Sequence, residues 1–333
     1  SNDARHECLR RDRKNHSVID GPVCDDQQSL AARSAKNSVD PWRPYAYLVE
    51  PEGSAEGVIE DVATIFLTNR ECPLRCLMCD LWKNTTDERV PVSAIPHQLD
   101  FAMSQLPPAR HIKLYNSGNF FDRQAIPADD HRAIAARVQS FQTVVVENHP
   151  RLCGEDVLRF RDLLDHDLEV AMGLETVHPD VLPRLNKQMS LPDFERACTF
   201  LSDNGVHIRS FVLLRPPFLS EQEGVEWALR SLQFAFDAGV RCCAVIPTRG
   251  GNGIMEQLAR DGCFHAPSMA SMEQVLEEGL KMNRGRVFVD LWDCEQFYPC
   301  PECGPLREQR FLDMNLLQKI RPPIHCTCQP QSA

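Results

Sequence analysis

Three cysteines stand at CxxxCxxC spacing in Glu71-Cys72-Pro73-Leu74-Arg75-Cys76-Leu77-Met78-Cys79-Asp80, directly after the apolar run Val62-Ala63-Thr64-Ile65-Phe66-Leu67. Thiolates suit iron–sulfur clusters, and three on one short loop can hold three irons of a cubane while the fourth iron stays open to another molecule. Two plainer readings compete. Free cysteine is commonly buried as a small apolar group, so three could lie close together without any metal. A zinc knuckle wants four ligands, usually as two CxxC hooks, and no fourth follows nearby. Spacing and the preceding strand together favour the cluster.

Other residues able to do chemistry fall at the ends of later apolar runs. In Lys113-Leu114-Tyr115-Asn116-Ser117-Gly118-Asn119, small and polar residues let the backbone approach a ligand closely, although an ordinary turn also favours Asn, Ser and Gly. Glu147 and Glu175 each end such a run, where a carboxylate can accept bonds from two hydroxyls or pair with a base to position a loop. Lys187, Arg209 and Arg215 supply cations; the two arginines are an even number of residues apart and share a face of a regular strand, with surface salt bridges as the ordinary alternative. The glycines of Thr248-Arg249-Gly250-Gly251-Asn252-Gly253 read as a flexible cap, and His149 and His178, beside prolines, as structural.

A second cysteine group closes the chain, with Cys294, Cys300-Pro301-Glu302-Cys303, His325 and Cys326-Thr327-Cys328. Cys300, Cys303, Cys326 and Cys328 could form a four-thiolate site for zinc or for an auxiliary iron–sulfur cluster, with unliganded thiols as the third reading. Cys153, Cys198, Cys242, Cys243 and Cys263 read as small hydrophobes, and Cys8 and Cys24 carry no specific expectation.

Positioning these groups takes a large scaffold. The 333 residues suffice for one α/β barrel with an appendage. Short apolar runs near 62–68, 111–115, 143–147, 168–174, 208–214 and 241–246 alternate with amphipathic stretches such as 192–204 and 224–238, which implies a parallel sheet. Six βα units, with a seventh apolar run at Arg286-Val287-Phe288-Val289, fit an open (β/α)6 barrel over residues 58–285. A polar N-terminal extension, 1–57, precedes it and a Cys-rich appendage, 286–333, follows. The net charge of −11 argues against a broad phosphate-binding surface. The one basic stretch, Arg5 to Lys14, reads as a solvated tail. No run of about 18 apolar residues is present, so no membrane span is expected. Ser1-Asn2 reads neither as a signal peptide nor as a natural start, and a reducing cytoplasm is the expected location.

The cysteine spacing after a strand resembles the radical S-adenosylmethionine (SAM) superfamily. Asn116-Ser117-Gly118, Gly173-Leu174-Glu175-Thr176, Leu185-Asn186-Lys187 and Arg215-Pro216-Pro217-Phe218 make the chain similar to its elongator-like branch, which includes archaeosine synthase radical subunits and their bacterial relatives, over roughly residues 60–328. The resemblance implies a partial TIM-like (β/α)6 barrel and a [4Fe-4S] cluster on Cys72, Cys76 and Cys79. Its open iron would chelate SAM, and reductive cleavage would give a 5′-deoxyadenosyl radical. Asn116, Ser117 and Gly118 would bind the amino end of SAM, Glu175 or Glu147 its ribose, and Arg209 or Arg215 its carboxylate, with Lys187 at the same mouth. The enzyme would take electrons from a donor such as flavodoxin or ferredoxin. Its substrate would be a nucleoside-like or natural-product small molecule. A tRNA base is the alternative, for which a basic rim would be the discriminator, and a non-catalytic zinc-binding protein is the reading from another class.

Overall fold

The computed structural model describes residues 24–54 and 57–328, so the Arg5–Lys14 stretch and Cys8 lie outside the described residues. Strand β1 (Ala46–Gly53) pairs antiparallel with β2 (Ile59–Phe66). From β2 the sheet continues in strict chain order, every further pair parallel, through β3 (His111–Tyr115), β4 (Thr143–Glu147), β5 (Asp167–Glu175), β6 (His207–Leu214), β7 (Cys242–Pro247) and β8 (Arg286–Val289). Helix α1 (Asp26–Ala31) precedes the sheet; α2 (Ala94–Met103), α3 (His131–Val138) and α4 (Glu155–Arg161) follow β2, β3 and β4. After β5 come α5 (Val181–Arg184) and α6 (Leu191–Asp203), after β6 α7 (Glu221–Asp237), after β7 α8 (Ile254–Arg260) and α9 (Met269–Lys281), and after β8 α10 (Cys303–Leu317).

This is the α/β half-barrel anticipated, with two corrections at its edges. The expected extension contributes β1, and the expected appendage contributes β8, so the sheet holds seven parallel strands plus one antiparallel strand rather than six. Sequence periodicity missed β1 because Ala46-Tyr47-Leu48-Val49-Glu50-Pro51-Glu52-Gly53 carries a proline and two acids, which only an edge position tolerates.

Alternation along the strands divides their side chains between two faces. Ile112, Leu114, Val144, Val146, Val170, Met172, Leu174, Val212 and Leu214 belong to the core packed under the helices, all essentially without exposure. Phe66, Tyr115 and Phe211 take the inner face and stay half-buried; Phe66 and Tyr115, and Tyr115 and Phe211, meet at 6.1 and 6.3 Å between ring centroids. Nearer the N-terminal ends of the parallel strands the inner face is ionic. Arg209 donates to Glu169 and Glu52 at 2.6 Å each, Lys113 pairs with Glu52 at 2.5 Å, and Arg286 reaches Glu52 at 3.1 Å. Burial alone would raise these carboxyls, but Arg209 beside them wins and holds both Glu52 and Glu169 below the usual range.

Among the described residues no strand pairs with the far side of β8, and α10 covers it. Asn315 accepts from the Val289 N–H at 3.0 Å and donates to its carbonyl at 2.8 Å, and Gln318 does the same for Val287 at 2.8 and 3.0 Å. Two side-chain amides thus stand in for a missing strand. The helix also closes on β1, where a Cβ on Gly53 would sit 2.5 Å from the Leu316 carbonyl oxygen. Asn315→Ala would strand a buried donor and acceptor of Val289 and is expected to cost about 1–3 kcal/mol in urea denaturation. A loss under roughly 0.5 kcal/mol, the size of an ordinary surface change, would remove this role from Asn315.

Candidate active site at the C-terminal rim

In the loop after β2, residues 71–80 carry the three cysteines outside any helix or strand, so neighbouring loops hold them. The Leu77 N–H donates to the Leu185 carbonyl at 2.9 Å, and Asn186 Nδ2 donates to the Arg75 carbonyl at 2.9 Å and to Asp26 at 2.6 Å. Asn252 Nδ2 donates to the carbonyls of Leu77 and Cys79 at 2.8 and 3.2 Å. The glycine-bearing loop after β7, expected to be merely flexible, is therefore a specific anchor. Glu71, one residue before Cys72, receives Arg33 and Lys36 at 2.7 Å each and Arg75 at 3.0 Å, so the segment ahead of β1 also straps the loop down. Burial opposes its ionisation, yet Lys36 and Arg33 hold Glu71 charged.

Cys72, Cys76 and Cys79 are half-buried free thiols. Removal from water pushes the Cys72 thiol up, Cys76 to about 11 and Cys79 to about 12, with Lys187 pulling the other way at Cys72 and Cys76. Without a metal these groups keep their protons; a metal that takes the thiolates displaces them.

The Asn116-Ser117-Gly118 turn packs on this loop, so that a Cβ on Gly118 would lie 3.3 Å from the Cys72 Cβ. Its backbone is already engaged: the N–H groups of Asn116 and Ser117 donate to Glu147 Oε2 at 2.9 and 3.2 Å. Burial pushes Glu147 up to about 7 against those donors. The Asn116 side chain is different. It is fully buried, and neither its Nδ2 nor its Oδ1 has a partner among the described residues. Tyr45 reaches the same turn, 2.9 Å from Ser117 Oγ.

Glu175 lies where the β5–β6 register shifts, with φ at +66°, a conformation that an L-residue holds only when its surroundings fix it. Lys187 supplies that constraint at 2.6 Å, both residues being buried. Gly173 beneath them leaves the room: a Cβ there would come 2.1 Å from Glu175 Oε1 and 2.5 Å from Lys187 Nζ. Burial would lower the lysine, but Glu175, Cys76 and Cys79 raise it above its ordinary value, so a fixed cation faces the thiols.

Two expected ligands are elsewhere. Arg209 lies in the ionic layer at the opposite end of the strands, committed to Glu52 and Glu169. Arg215, one step beyond β6 at φ +53°, turns to Glu221 and to the Ala266 carbonyl at 2.9 Å. The shared face inferred from their spacing ends with the strand, because a left-handed residue re-aims its side chain. His178 and His149 are buried within their loops: His178 Nδ1 accepts from Asp180 and Val181, and His149 joins the loops after β4 and β5. Sequence reasoning passed over Asn119 and Asn252, since buried amides carry no periodic or charged signature.

At the start of α10 and in the tail that returns along it, Cys300, Cys303, Cys326 and Cys328 place their sulfurs within 4.8 Å of one another, a group that could bind a metal. Cys300 lies 3.3 Å from Cys303 and 3.8 Å from Cys326, and Cys303 lies 3.5 Å from Cys328.

No family model matches the chain. It is 22% identical over 327 residues to an uncharacterised protein of Methanocaldococcus jannaschii, covering 91% of this chain and 88% of that one. It is 32% identical over 127 residues to archaeosine synthase subunit beta of Thermococcus kodakarensis, a stretch of 36% of this chain and 39% of that protein. Among solved structures, archaeal Elp3 of Methanocaldococcus infernus aligns with a TM-score of 0.47 at 15% identity, over 58% of this chain and 51% of that one.

Removing the lysine of the buried pair tests the electrostatics directly. Lys187→Met would leave the buried Glu175 carboxyl without its partner, with an expected loss of about 3–5 kcal/mol, and adding Glu175→Gln should recover a large part of it. Strictly additive losses in that double-mutant cycle would mean that the two groups are not coupled.

Proposed function

We propose that the chain is a radical SAM enzyme in which Cys72, Cys76 and Cys79 hold a [4Fe-4S] cluster and the loops after β3, β4 and β5 hold SAM. The carrying observation is the meeting, at the C-terminal rim of one sheet, of three thiols on one anchored loop, a turn packed on Cys72, and two carboxylates. The donor set fits: three soft ligands on one loop suit a cluster with an open position, and the Lys187 cation offsets the negative charge that thiolates bring. When bound, the cluster would supply one electron to the sulfonium of SAM, releasing methionine and a 5′-deoxyadenosyl radical that takes a hydrogen atom from the substrate.

The chain's own residues then bind and orient. The unpartnered amide of Asn116 suits the polar methionyl end of SAM, since a buried amide without partners is costly and a ligand would satisfy it. Glu147 keeps the Asn116–Ser117 backbone in place, and Glu175, held in position by Lys187, suits the ribose hydroxyls. Phe66, Tyr115 and Phe211 line the space below with rings that exclude water from a radical. A half-open lumen of this kind supports a small, nucleoside-like or natural-product substrate. The archaeosine synthase relative supports the other reading, a tRNA base. A one-electron donor such as flavodoxin or ferredoxin completes the requirement, and no helix among the described residues is long and apolar enough to cross a membrane.

For the C-terminal thiols we propose a single tetrahedral ion, zinc in class. The sulfur separations of 3.3, 3.5 and 3.8 Å approach the roughly 3.8 Å edge of a tetrahedron with zinc–sulfur bonds of about 2.3 Å. A cubane, bound through four separate irons, would spread its ligands wider.

Anaerobic reconstitution with iron and sulfide, then dithionite and SAM, should yield 5′-deoxyadenosine from the parent and none from Cys76→Ala. A Cys76→Ala protein that keeps the cluster absorbance and the product would reject the assignment. Metal analysis of the purified chain should find about one zinc, absent after Cys300→Ser with Cys303→Ser; zinc retained by that double variant would place the ion elsewhere.

A further inference from the structure

Asn119 lies beside the turn assigned to SAM, yet its side chain faces the cysteine loop. It is 4% exposed, and its Nδ2 donates to Cys72 Sγ at 3.3 Å. The amide cannot be reversed without loss, because Oδ1 accepts the His149 backbone N–H at 2.8 Å. The residue behind it is equally fixed. His149 Nδ1 accepts the Arg151 N–H at 3.2 Å, so its Nε2 carries the proton and donates to the Lys187 carbonyl at 3.0 Å. An unbroken path therefore runs from Cys72 through Asn119 and His149 to the residue that pairs with Glu175.

Resting on the cluster assignment above, we propose that Asn119 is a positioning residue that sets the reduction potential of the cluster through its N–H bond to the Cys72 sulfur. One electron from an external one-electron donor makes a thiolate-ligated cluster more negative by one charge. A donor aimed at a ligand sulfur stabilises that added charge more than it stabilises the oxidised state, so the potential rises. The buried setting enlarges the effect, since little water competes for the sulfur. Asn119 acts through Cys72.

The test is redox titration of reconstituted Asn119→Ala and Asn119→Asp beside the parent, followed by electronic absorption and electron paramagnetic resonance, with iron and sulfide content measured on each sample. Asn119→Asp keeps an oxygen for the His149 N–H while removing the donor, so the loop is retained as the bond to sulfur is lost. Both variants should hold the parent's iron content, titrate at a more negative midpoint with the aspartate lower, and form 5′-deoxyadenosine more slowly with a weak reductant than with a strong one. A midpoint equal to the parent's in a variant that carries its cluster overturns the proposal, as does loss of the cluster from both variants. A parent that assembles no cluster sinks the functional assignment itself, an outcome distinct from an unshifted midpoint.

Discussion

Three thiols cannot be held in fixed relation by a stretch, residues 71–80, whose backbone bonds to itself only at one turn, from the Cys79 N–H to the Cys76 carbonyl. Here the carbonyls of Arg75, Leu77 and Cys79 are gripped by Asn186 and Asn252, from the loops after β5 and β7, while the Leu77 N–H is taken by Leu185. Everything else at the rim depends on that grip. The strands must end at matching heights for those loops to reach one another, and the in-order parallel pairing from β2 to β8 provides this. The segment ahead of β1 adds a third hold through Glu71.

Charge is distributed in two layers for different reasons. At the rim Lys187 and Glu175 form one buried pair, and the strained backbone of Glu175 persists because the pair and Gly173 beneath it fix the position. At the other end of the strands Glu52, Lys113, Glu169, Arg209 and Arg286 satisfy one another across the inner face, linking β1 to β8 through Glu52 and Arg286. Such networks are costly to bury and costlier to break, so they hold the curled sheet to one geometry. Between the layers lies the aromatic wall of Phe66, Tyr115 and Phe211.

An open sheet has two edges, and this one covers an edge with a helix. Asn315 and Gln318 satisfy the backbone of β8, and Arg310 gathers the returning tail through the carbonyls of Arg321 and Pro322. The four C-terminal thiols join the start of α10 to the end of that tail. A metal there would fix the covering helix at the end away from its amide contacts.

Much of this was legible in the chain. The strands from β2 to β7 fall within a few residues of their apolar runs, since periodicity of two needs only local alternation, and the chemistry proposed for Cys72, Cys76 and Cys79 rests on ligand type and spacing. Glu147 and Glu175 lie at one rim because strand ends in a parallel sheet share a side, and Lys187 joins Glu175 there. Tertiary structure alone decided the rest. Arg209 and Arg215 read as equivalent cations, but which end of a strand a charge occupies depends on partners distant in sequence, Glu52 for one and Glu221 for the other. Asn119 and Asn252 gain their roles from single hydrogen bonds across loops, and β1 gains its strand from the free edge of β2. Sequence pattern encodes what neighbours along the chain must do; which distant group a buried amide or ion meets is set only when the sheet has closed around it.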